Sequence, residues 1–107
     1  MSVQDVSLQV ALEAIQTNQQ VVVDFYSDTC GPCKALAGVL DKVAEQNPET
    51  KILKVNVSSQ GAGAFATKEG VRGVPTVLFY KDGKETKRNS GFMPESKFNE
   101  VLKVAMS

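Results

Sequence analysis

The chain has 107 residues, 42% of them apolar and 22% charged, with 12 basic side chains balancing 12 acidic ones. That length suits a single domain, residues 1–107, able to bury a core without staples, and the zero net charge excludes both a basic field for nucleic acid and an acidic tail for basic partners. No stretch reaches the roughly 18 apolar residues of a membrane span, and the first ten residues hold no Lys or Arg, so the basic start of a secretory signal is missing and a cytoplasmic, reducing compartment is expected.

The residues before Ser7 are too few for more than a short edge strand. From Ser7 to Thr17, Leu8, Ala11, Leu12 and Ile15 recur at i, i+3, i+4 and i+7, which predicts an amphipathic helix with those four on its buried face. Gln19 to Tyr26 is an apolar run broken only by Asp24, the pattern of a strand covered on both faces and lying near the sheet centre. Pro32 suits the first turn of a helix, where its missing N–H costs nothing. Leu36, Leu40, Val43 and Ala44 continue that helix to about Asn47-Pro48. Ile52, Leu53, Val55 and Val57 predict a second buried strand. Ser58 to Lys68, with Gly61 and Gly63 early, reads as a loop and a short, weak helix that Gly70 stops. Thr76 to Tyr80 is a strand, Lys81-Asp82-Gly83-Lys84 a hairpin turn, and Glu85 to Ser90 a polar return strand suited to an edge. Pro94 opens a final helix whose Phe98, Val101, Leu102 and Ala105 share a face. The order β-α-β-α-β-α-β-β-α predicts an α/β fold, a mixed central sheet with helices on both faces.

Cys30-Gly31-Pro32-Cys33-Lys34 carries the chemistry. Two thiols with two residues between them can close a small disulfide ring and reopen it. A structural disulfide over so short a loop would gain little entropy. A structural zinc site normally takes four Cys or His ligands, and this chain has two Cys and no His, so zinc would have to be shared between chains. The third reading is a redox pair. The strand-turn-helix context places Cys30 at a helix N-terminus, where free N–H groups and the macrodipole favour a thiolate. Cys30 would attack a substrate disulfide, and Cys33, deeper in the helix, would resolve the mixed disulfide. Asp24 is a lone carboxylate in an apolar strand, where burial would raise its pKa, unless it is solvated at a strand end.

These residues, with Asp24 six positions upstream of Cys30 and Val74-Pro75-Thr76 forty-two after Cys33, resemble the thioredoxin family. The resemblance runs from Val21 to Tyr26, through Cys30-Gly31-Pro32-Cys33-Lys34, to Gly70-Val71-Arg72-Gly73-Val74-Pro75-Thr76 and Gly91. It implies a thioredoxin fold and protein disulfide reductase activity, with Thr29, Gly31, Pro32 and Lys34 forming the active-site loop. It implies that Asp24 transfers a proton with Cys33, with Lys54 near that carboxylate. It also implies a cis Val74-Pro75 bond that turns the Val74 backbone toward the disulfide, where Gly73, Thr76 and Gly91 would border a groove for an extended substrate segment. No bound cofactor or metal is implied: the cofactor is the Cys30–Cys33 disulfide itself, reduced by a separate NADPH-dependent flavoprotein, a thioredoxin reductase. Partners are then disulfide-containing proteins, and a monomer is expected.

Four positions depart from the family pattern. Thr29 and Tyr26 stand where it has tryptophans, which reduces the apolar rim of the groove. Gly38 replaces a proline that bends the active-site helix, Ser58 replaces an aspartate, and the Ser58 to Gly63 segment is about two residues longer than the pattern. Two rivals to a reductase follow. One is an oxidant or isomerase, which Gly31-Pro32 disfavours. The other is a binding module whose groove docks a partner independently of redox chemistry.

Overall fold

A computed structural model describes residues 3–107. A five-stranded sheet has the order β1-β3-β2-β4-β5, formed by β1 (Gln4–Asp5), β2 (Gln20–Tyr26), β3 (Lys51–Asn56), β4 (Thr76–Lys81) and β5 (Lys84–Ser90). Strands β1, β3 and β2 run parallel, while β4 lies antiparallel to both β2 and β5. The apolar β2 occupies the centre, and the short β1 and the polar β5 are the edges, as their composition dictates. The sheet is mixed as expected.

Alternation along the strands sorts the side chains into two cores. Val21, Val23 and Phe25 of β2 pack with Leu53, Val55 and Leu78 beneath α1 (Leu8–Thr17) and α3 (Ala62–Lys68). Val22 packs on the opposite face with Ile52, Val77 and Phe79 against α2 (Gly31–Gln46) and α4 (Glu95–Ala105). There Phe79 and Phe98 meet with ring centroids 5.4 Å apart. Such a contact adds about 1 kcal/mol beyond the area it buries. Asp24 has the parity of Val22 and therefore lies on the α2 side of the sheet.

The local signals explain the element ends. Ser7 Oγ accepts the Val10 N–H at 3.2 Å and starts α1, a cap worth about 1 kcal/mol. Gly70, at φ 80°, closes α3 in a Schellman motif: its N–H bonds Thr67 O and the Val71 N–H bonds Ala66 O. Asp82 and Gly83, at φ 51° and 84°, make the tight turn between β4 and β5.

Two expectations need correction. Leu12 is exposed, while Ala14 joins Ala11 and Ile15 in the core. Helix α1 is therefore rotated so that its small residues meet the sheet, which lets the backbone approach β2 and β3 closely. Val57 lies just beyond β3 and is only partly buried, although its N–H still bonds Tyr26 O at 2.9 Å.

Candidate active site

Cys30 is the N-cap of α2. Its backbone is extended, its Sγ accepts the Cys33 N–H at 3.1 Å, and its carbonyl accepts the Lys34 N–H at 3.3 Å. Gly31 and Pro32 fill the first helical positions, where proline's preset φ fits and its missing N–H is no loss. Cys30 and Cys33 are joined as a disulfide with their Cα atoms 5.3 Å apart. Burial distinguishes the sulfurs: Cys30 is partly exposed, whereas Cys33 is 3% exposed beneath the first turn. In the dithiol state, an N–H aimed at the Cys30 sulfur and the positive end of the α2 dipole both favour its thiolate. Thr29, Gly31, Pro32 and Lys34 form an exposed rim around that sulfur.

The segment before β4 comes to the same place. The Val74–Pro75 peptide is cis, and the Val74 carbonyl oxygen lies 3.6 Å from Cys30 Sγ. Pro75 and Thr76 are buried. Thr76 Oγ1 donates to Gly73 O at 2.6 Å, and the Gly91 N–H donates to Pro75 O at 2.8 Å. Gly91 has φ 92°, a conformation that side chains disfavour, and a Cβ there or on Gly73 would meet no atom within 4 Å. Gly73, Val74, Pro75, Thr76 and Gly91 are thus one cluster beside the exposed sulfur. Phe92, directly after Gly91, is 47% exposed. No periodicity marked it, although an aromatic in the short connection between the polar β5 and α4 was the signal to notice.

Asp24 is not at a strand end. It sits within β2, fully buried, opposite Lys54 on β3 and Val77 on β4. Neither carboxylate oxygen has a hydrogen-bond partner. Burial pushes its pKa up to about 7, against the opposing pull of the Lys54 ammonium. A carboxyl group so placed exchanges its proton near neutral pH.

Tyr26, expected on the rim of the substrate groove, lines a depression on the α2 side of the sheet with Cys33, Lys34, Ala37 and Lys54. Its hydroxyl donates to Asp5 Oδ2 at 2.5 Å, and Lys54 Nζ stands 4.5 Å from its ring centroid. Burial, followed by that hydrogen bond and the fields of Asp5 and Asp28, pushes the phenol up to about 12. The part played by Asp5 was not legible in the sequence, because only the pairing of β1 with β3 brings it here. Of the remaining departures, Gly38 is itself exposed and sits within the unbroken helix α2. Ser58 lies in the turn after β3, where its N–H donates to Asn56 Oδ1.

Comparison with known proteins matches the described geometry to one family. The thioredoxin family profile covers residues 3–104. The chain is 37% identical over 91 residues to a thioredoxin of Mycoplasmoides gallisepticum, spanning 85% of this chain and 89% of that one. It is 41% identical over 81 residues to thioredoxin-1 of Saccharomyces cerevisiae, spanning 76% and 77%. Among solved structures, a mutant thioredoxin from Halobacterium salinarum superposes with a TM-score of 0.88 at 31% identity, covering 99% of this chain and 92% of that one.

Proposed function

Because the chain belongs to the thioredoxin family and joins Cys30 to Cys33, it is a thiol–disulfide oxidoreductase of protein disulfides, and we propose that it runs as a reductase with Cys30 as nucleophile and Cys33 as resolving thiol. The observation that carries the assignment is the asymmetry of the pair: the Cys30 sulfur is the more exposed and receives the Cys33 N–H, while Cys33 is buried.

In the reaction, the Cys30 thiolate attacks one sulfur of a substrate disulfide. A Cys30–substrate bond forms, and the other substrate sulfur leaves as a thiolate. Cys33 then gives up its proton, and its thiolate attacks Cys30 Sγ. The Cys30–Cys33 disulfide forms, and the second substrate thiolate departs. Two electrons have passed from the dithiol to the substrate, and the oxidised protein remains. The exchange needs no bound cofactor, since the cysteines carry the electrons.

Asp24 serves as the proton acceptor for Cys33, a role supported by its burial on the α2 side and its proton affinity near neutrality. The Val74 backbone pairs with an extended substrate segment beside Cys30, with Gly73, Thr76 and Gly91 shaping the groove and Phe92 supplying apolar surface next to it. Electrons return through an NADPH-dependent flavoprotein reductase, and the protein works as a cytoplasmic monomer. The reducing conditions there suit a chain whose two cysteines form a reopening pair.

Insulin reduction tests this reading in two arms. With dithiothreitol as donor, precipitation of the insulin B chain should accelerate, and no acceleration would overturn the disulfide chemistry. With NADPH and a heterologous thioredoxin reductase, the same acceleration should appear, and failure in that arm alone would refute the proposed donor.

A further inference from the structure

Tyr26 and Asp5 form an arrangement that the exchange reaction alone leaves unused. Asp5, Lys54 and Asp24 lie in one row across the sheet, for Asp5 is the register partner of Lys54 on β1 and Asp24 its partner on β2. Lys54 therefore stands between two carboxylates, one exposed and one fully buried. Pairing with the exposed Asp5 would be the easier choice, since it requires little dehydration of either charge. Among the described residues, however, no ion pair joins Lys54 to either carboxylate. Tyr26 occupies both positions instead. Its hydroxyl takes Asp5 Oδ2, and its ring lies under the Lys54 ammonium at 4.5 Å, within the range of a cation–π contact.

We propose that Tyr26 is a positioning residue: by binding Asp5 through its hydroxyl and holding Lys54 on its ring, it reserves the lysine charge for Asp24. This rests on the reading of Asp24 as the proton acceptor for Cys33. The charged surroundings are few. Lys54 faces Asp5 from β1 and Asp24 from β2, and it shares its depression with Cys33 and Lys34 of α2 and with Asp28 of the loop before α2. Strand β4 presents only the apolar Val77 to Asp24. Asp5 is the sole one of the two acids on either side of Lys54 that a freed ammonium could reach without desolvation. Losing the Tyr26 hydroxyl should therefore draw Lys54 outward and leave Asp24 less able to ionise.

The test is a ¹³C NMR titration of the Asp24 carboxyl in the oxidised protein, where neither cysteine titrates. Lys54→Met should raise the Asp24 midpoint by about one unit, the usual influence of an adjacent opposite charge. Tyr26→Phe, which keeps the ring and frees Asp5, should raise it in the same direction by a substantial part of that shift. Adding Asp5→Asn to Tyr26→Phe removes the competing carboxylate and should bring the midpoint back toward wild type. An unmoved midpoint in Tyr26→Phe, or a shift that persists in the double variant, would overturn the proposal. The titration reads ionisation and not turnover, so the separate finding that Asp24→Asn leaves insulin reduction unchanged would refute the acceptor role without touching the positioning result.

Discussion

Asp24 and Lys54 face each other as register partners of the adjacent parallel strands β2 and β3, yet both Asp24 oxygens are buried without a hydrogen-bond partner. The lysine lowers the proton affinity of the carboxyl only partly, and desolvation dominates. The consequences for stability and rate can be measured.

Asp24→Asn should stabilise the protein at alkaline pH. The folded pKa of about 7 exceeds the ordinary aspartate value of about 3.8, so the native state binds this proton more tightly than the unfolded chain. The penalty is absent below about pH 3.8, grows between the two values and is full above about 7, where it is of the order of 4 kcal/mol. A buried amide and a neutral carboxyl lose similar hydration, so wild type and variant should converge at low pH. Urea melts from pH 4 to 9 should show the gap opening through that window, while insulin reduction slows because Cys33 has lost its proton acceptor. A variant less stable at pH 8 with an unchanged rate would contradict both halves.

Cys33→Ser should accumulate mixed disulfides with substrate proteins, because the exposed attacking thiol remains and the resolving thiol is gone. Cys30→Ser should accumulate none. Non-reducing gels of the two variants incubated with a disulfide-bearing protein make the comparison, and equal trapping by both would reverse the assigned roles.

The apolar rim can be both enlarged and reduced. Thr29→Trp adds an aromatic surface beside Cys30, and Phe92→Ala removes the exposed ring that follows Gly91. The first should lower KM for protein disulfides and the second raise it, by several-fold each, with little change toward a small disulfide such as oxidised glutathione. Parallel changes toward both substrates would place the effect in thiol reactivity instead of binding.

Gly38→Ala should stabilise the fold by about 0.5–1 kcal/mol, since Gly38 lies within α2, is exposed, and a Cβ there would meet nothing within 4 Å. The expected signature is a higher urea midpoint at constant m-value. A lower midpoint would mean that the helix needs the flexibility of glycine at that site.

The sequence by itself determined the elements, because their signals are local. Continuous apolar runs placed β2 and β4, Pro32 and Gly70 marked a helix start and a helix end, and Asp82-Gly83 marked the turn. It also determined the reactive pair, since two cysteines three positions apart on a helix N-terminus need no distant partner to define their chemistry. Rotation about a helix axis was less well specified: periodicity put Leu12 inward, but close approach of α1 to the sheet favoured Ala14. Only the tertiary structure decided the neighbourhoods built from separate strands. No local signal placed Val74 beside Cys30 or Lys54 near Asp24, which only the resemblance implied, and nothing in the sequence showed that Asp5 would join that row with Tyr26 between the outer acid and the lysine. Those contacts depend on strand register and on the parity of side chains across the sheet. Both are set by the burial of the whole apolar face at once, which no local stretch of sequence contains.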